Sequence, residues 1–107
     1  MTPSSFVIVL STFPADGDAD ALARTLVDER LAACVNLLPP MTSMYRWEGK
    51  IERSLERQLI IKTTAAGVDQ LKARLTELHP YDVPEILVIP IADGSAKYLE
   101  WLRNSVN

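Results

Sequence analysis

One cysteine and one histidine occur in the whole chain, and that scarcity excludes a good deal. Cys34 has no second thiol to bridge, so no internal disulfide staples the fold, and a lone thiol suits a reducing compartment. A cytoplasmic location is expected. Metal chemistry is limited in the same way, because a closed zinc site needs three or four protein ligands and His79 alone does not make one. Basic residues are not in excess. Eleven Lys and Arg against fourteen Asp and Glu give a formal net charge of −3, with the signs interspersed, so there is no basic stripe to neutralise phosphates. Nucleic acid and acidic membranes are not expected partners. No apolar run approaches the roughly 20 residues that span a bilayer, since Pro, Asp or Arg interrupts each one. The opening Met1-Thr-Pro-Ser-Ser5 has no basic n-region, and the apolar stretch after it is too short for a secretory signal. Enzyme signatures are also missing: no nucleophile elbow, phosphate loop, paired-carboxylate signature or metalloprotease helix. Ser11, His79 and Asp82 could be drawn as a triad, but no spacing supports it. The chain is expected not to be an enzyme.

The 107 residues fit a single domain, 1–107, able to bury about two-thirds of its unfolded surface. Phe6 to Leu10 is dense in β-branched and aromatic residues and reads as a buried strand, stopped by the turn cluster Pro14 to Asp18. Ala19, Leu22, Ala23, Leu26, Val27 and Leu31 then recur at helical spacing, with Asp16 or Asp18 placed as N-cap. Strand character resumes over Cys34 to Leu38, and again from about Ser43 to Trp47 after the bend Pro39-Pro40. Between Glu48 and Arg57 a helix would stack Glu48, Glu52 and Glu56 in one like-charged row. A strand separates them by parity, so a strand is expected, with Glu48-Gly49 as a hairpin turn. A second helix starts near Thr64, carries Val68, Leu71, Leu75 and Leu78 inward, and stops at His79-Pro80. Ile86 to Ile89 reads as another buried strand, and Ser95 caps a C-terminal helix through Tyr98, Leu99 and Leu102.

This order, βαββαβ and then α, matches an α+β, ferredoxin-like antiparallel sheet with two helices on one face and an added C-terminal helix. The hairpin is too long for that plan. A strand from Lys50 to Thr63 would extend roughly 45 Å, whereas a compact domain of this size has a radius of gyration near 13 Å. A ribbon bearing Tyr45, Trp47, Ile51 and Leu55 exposes edges and apolar surface of the kind that proteins cover with another chain. Oligomerisation is therefore expected; the alternative is a hairpin bent back onto its own domain.

The segments Asp28-Glu-Arg-Leu-Ala-Ala-Cys-Val-Asn36, Tyr45-Arg-Trp-Glu-Gly-Lys50, Lys62-Thr-Thr64, His79-Pro-Tyr-Asp-Val-Pro-Glu85 and Tyr98-Leu-Glu-Trp-Leu102 stand in the order and spacing of CutA proteins. Over nearly its whole length the chain resembles this divalent-cation tolerance family. The resemblance implies a ferredoxin-like subunit, a homotrimer with the long strands around a threefold axis, cytoplasmic residence, and binding of Cu(II) or another divalent cation that folding does not require. Family members credited with copper binding use a cysteine at the end of the first strand and a histidine pair before the Pro-Tyr segment. Here those positions hold Ser11, and Leu78 followed by His79. The missing thiolate removes the group that most favours Cu(I).

His79 is either a helix-terminal imidazole, favoured when charged by the helix dipole, or a metal ligand assisted by Asp82 and Glu85 of the same loop or by a neighbouring chain. Cys34 beside apolar residues reads as a small buried hydrophobe. Glu85 is expected to pair with Lys62 or Arg46, or else to bind a cation. Tyr45, Trp47, Lys62, Tyr81 and Trp101 are the residues expected at an interface or cleft. Two functional readings follow: a trimeric divalent-cation binder, or a sensor, by fold analogy with PII-type signalling proteins, that takes a small ligand or partner protein between subunits.

Overall fold

A computed structural model describes residues 5–107; residues 1–4, on which the expectation about a secretory signal partly rests, lie outside it. The elements are β1 (Phe6–Pro14), α1 (Ala19–Asp28), β2 (Cys34–Leu37), β3 (Met41–Trp47), β4 (Lys50–Thr64), α2 (Val68–Leu78), β5 (Leu87–Pro90) and α3 (Ala96–Ser105). A short 3₁₀ turn, Ala65–Gly67, leads into α2. The ferredoxin-like α+β plan is present. The sheet runs β2-β4-β1-β5, all antiparallel, with β3 continuing the β2 edge along the far half of β4.

Alternation builds the core. Val7, Val9 and Phe13 of β1 and Leu59 and Ile61 of β4 point to one face, where Leu22 and Leu26 of α1 and Leu71 and Leu75 of α2 cover them. α3 packs on the opposite side, closing Leu99 and Leu102 over Phe6 and Ala33. The helix caps follow the sequence: the Asp18 carboxylate accepts from the Ala21 N–H at 3.0 Å, and the Ser95 hydroxyl accepts from the Tyr98 N–H at 3.3 Å. α1 ends in a left-handed residue, Arg30 (φ 60°), flanked by a Leu31 N–H to Leu26 carbonyl bond of 3.0 Å. That geometry is ordinarily glycine's. Arg30 offsets the cost by donating from Nη2 to the Asn104 carbonyl at 2.8 Å, which ties α1 to the end of α3.

β4 is 15 residues long, and only its second half lies in the body of the sheet. Residues Glu56 to Thr64 pair with β1, while Lys50 to Leu55 pair with β3 and not with β1, forming a two-stranded ribbon. Glu48 and Gly49, both at positive φ (51° and 79°), make its two-residue turn, the geometry that matches strand twist. The ribbon is not bent back: the molecule measures 45 × 26 × 24 Å with a radius of gyration of 14.5 Å. Ile51 is 74% and Leu55 58% exposed.

The expectation of a buried strand near Ile86 is corrected. β5 pairs only with β1, so its outer edge is open, and Leu87, Val88 and Ile89 are all exposed. Cys34 is half-buried rather than part of the core, opposite Lys62. Among the described residues, no helix is long and apolar enough to cross a membrane.

Candidate functional site

A hollow lies where the ribbon leaves the sheet. It is a cleft of about 770 Å³ between β3, the middle of β4 at Glu56 and Gln58, Thr12 of β1 and the loop from Pro80 to Glu85. Local chemistry sets its shape. The Pro80 and Pro84 rings stiffen the loop, the antiparallel pairing opposes Tyr45 to Glu52 and Trp47 to Lys50, and the Tyr45 hydroxyl meets the Ser54 hydroxyl at 2.7 Å.

His79, just after α2, is buried. Its Nδ1 accepts from the Tyr81 N–H at 3.1 Å, which leaves Nε2 to donate to the Thr12 carbonyl at 2.6 Å. Phe13 and Tyr81 pack on the ring with centroids at 5.3 and 4.8 Å. Both nitrogens are thus engaged, and a cation could reach Nδ1 only by displacing the Tyr81 N–H. The same contact turns Tyr81 towards β4, where its hydroxyl donates to Glu56 Oε2 at 2.8 Å. Burial first, then the hydrogen bond and charge of Glu56, push the Tyr81 phenol well above its ordinary value.

Glu85 pairs with neither Lys62 nor Arg46 among the described residues. Its Oε2 accepts from the Gln58 side-chain amide at 3.1 Å, and that amide also donates to the Ser11 carbonyl at 2.6 Å. The structure therefore brings Tyr45, Trp47, Tyr81, Asp82 and Glu85 to one cleft. Lys62 and Trp101 sit elsewhere: the Lys62 ammonium lies 6.0 Å from the Tyr98 ring centroid, and Tyr98 packs against Trp101 at 5.4 Å. Among the described residues, no three His, Cys, Asp or Glu side chains converge into a cation-holding group.

Glu56 and Gln58 were not singled out from the sequence. The available signal was parity, because both share a strand face with Ile60, which lies in the body of the sheet rather than on the ribbon.

The family model described as "CutA1 divalent ion tolerance protein" matches residues 7–105. The chain belongs to the CutA1 divalent ion tolerance family. It is 49% identical over 98 residues to the divalent-cation tolerance protein CutA of Thermus thermophilus, covering 92% of this chain and 95% of that one. It is 46% identical over 99 residues to a chloroplastic CutA protein of Arabidopsis thaliana, covering 92% of this chain and 54% of that longer one. The crystal structure of CutA from Xylella fastidiosa superposes with a TM-score of 0.93 at 43% identity, covering 97% of this chain and all of that one. These relatives are named for cation tolerance or simply as CutA, and none of the three names states a catalytic activity. The plant relative shows that the family is not confined to the cytoplasm.

Proposed function

We propose that the chain works in the cytoplasm as a homotrimer that binds a divalent cation, copper foremost, and so contributes to divalent-cation tolerance without catalysing a reaction. The observation that carries the assembly is the projecting ribbon. Its two strands pair only with each other from Lys50 to Leu55 of β4 and present Ile51 and Leu55 to solvent. Apolar surface on an open-edged ribbon is a surface that another chain covers, and the open β5 edge with Leu87 and Ile89 adds a second. Pairing ribbons of three copies would remove both from water.

The cation reading rests on the family and on the loop from His79 to Glu85, which carries one imidazole and two carboxylates. Within one chain these do not form a closed set, so the ligand sphere is completed across a subunit boundary. His79 Nδ1, Asp82 and Glu85 are the proposed donors, and imidazole with carboxylate suits Cu(II) better than Cu(I). Calorimetric titration of Cu(II) into the wild type, Asp82→Asn and His79→Ala tests this. A saturable heat weakened about tenfold in either variant, some 1.4 kcal/mol, supports it. Equal and negligible heats in all three remove it. A second reading, a sensor that takes a small ligand at this site, is favoured by the size of the cleft, since hollows of roughly 300–1,000 Å³ are typical of small-molecule sites.

A further inference from the structure

We infer that the cleft is a receptor for a small organic cation, an ammonium or guanidinium group carried on an apolar frame. This deepens the small-ligand reading of the same site and needs neither copper nor His79 as a ligand.

Charge is the first reason. Glu56, Asp82 and Glu85 line the cleft, and no Lys, Arg or His does. An anionic ligand would meet three carboxylates with nothing to offset them.

Glu56 is the second. It is only 6% exposed, yet no cation pairs with it among the described residues. The Tyr81 hydroxyl donates to Oε2, and Oε1 receives no hydrogen bond from the described residues. Oε2 is held by Tyr81 while Oε1 is left accessible, so the carboxylate is positioned to receive a cation. The cleft is the side from which one can arrive.

The walls supply the third reason. Tyr45, Trp47 and Tyr81 surround the acidic floor with π-surface, which attracts cations, and more strongly as water is excluded. The Gln58 amide holds Glu85 Oε2 at 3.1 Å, so the second carboxylate is positioned before a ligand enters. About 770 Å³ is far more room than a bare ion fills, and the carboxylates do not converge into an ion cage. Dispersed acids with aromatic walls fit a charged head on a hydrocarbon body.

Benzamidinium is a suitable probe, because benzamide has nearly the same shape without the charge and benzoate reverses it. Each is titrated calorimetrically into the full-length protein at neutral pH, into wild type, Glu56→Gln, and Asp82→Asn, which alters only an exposed loop side chain. Saturable binding of benzamidinium is expected at one per chain, with benzamide and benzoate at least about tenfold weaker. Glu56→Gln should weaken it by about tenfold or more, as loss of a charged hydrogen-bond partner does, and Asp82→Asn by a smaller factor. Equal binding of benzamide, or an affinity unchanged in both variants, overturns the inference. So does a wild type that ignores the probe; if Glu56→Gln then also changes the sedimentation mass, a basic side chain of another copy is the occupant. Failure of the Cu(II) titration leaves this result untouched, so the two readings fail separately.

Discussion

Replacing Ser11 with alanine should stabilise the protein. Ser11 lies on the helix-covered face of β1 between Val9 and Phe13, opposite Leu59, and is fully buried. Its hydroxyl is the one buried side-chain polar atom without a hydrogen-bond partner among the described residues. An unpaired polar group in such a place costs about 1–3 kcal/mol of desolvation, whereas alanine gives up only the packing of one oxygen. The net expectation is a gain of about 1 kcal/mol, taking the lower part of that range. Thr63→Val is the counter-experiment on the same face. The Thr63 hydroxyl is as deeply buried but donates to the Leu31 carbonyl at 2.8 Å, so its loss should destabilise by about 1 kcal/mol. Urea unfolding at matched chain concentration reads both, as midpoints that move in opposite directions at constant m-value. Ser11→Cys should resemble Ser11→Ala, because a buried thiol behaves as a small hydrophobe. A Ser11→Ala midpoint lower than wild type would refute the reasoning, since it would mean that the hydroxyl has a partner.

Three further outcomes follow from the geometry. Gly49→Ala should cost about 1–2 kcal/mol, the left-handed penalty of a Cβ, because Gly49 has φ 79° and open space around it; denaturant unfolding checks it, and an unchanged midpoint would show that the turn adapts. In ultraviolet titration of the phenols, one tyrosine should ionise well above the ordinary value of about 10, and that transition should vanish in Tyr81→Phe; its persistence would exclude the Tyr81–Glu56 contact. The bidentate hydrogen bonds from Arg74 to Glu29, at 2.8 and 2.9 Å, hold the Glu29 carboxyl below its ordinary value. Their contribution is therefore complete above the unfolded-state pKa and is lost as pH falls through the lower folded-state one. Glu29→Gln should flatten the acid limb of the stability profile slightly, and an unaltered limb would mean that the pair contributes nothing.

Much of the fold was legible because the local signals agreed with one another. Like charges at Glu48, Glu52 and Glu56 ruled out a helix, Glu48-Gly49 supplied a turn with two left-handed residues, and His79-Pro80 ended α2 as expected. Burial was harder to read where it depends on neighbours. The run Ile86 to Ile89 looks interior by composition, yet β5 is an edge, and composition does not distinguish a strand covered by its own chain from one left for another. The loop from His79 to Glu85 and the aromatic residues Tyr45 and Trp47 were visible as candidates for the site. The floor of the cleft was not. Glu56 sits in a strand rich in charge, where carboxylates are usually solvated, and only the position at which β1 ends against β4 buries it. Lys62 and Trp101 were expected at an interface or a cleft; the strand register and the placement of α3 set them apart from this cleft, beside Tyr98.

The projecting ribbon of β3 and β4 calls for cover by other copies of the chain. Sedimentation equilibrium at micromolar concentration tests that directly. A single species of three times the 11.9 kDa chain mass, converted to smaller species by Ile51→Glu with Leu55→Glu, is the predicted result. A folded species of one-chain mass, with Ile51 and Leu55 left in water, would contradict it.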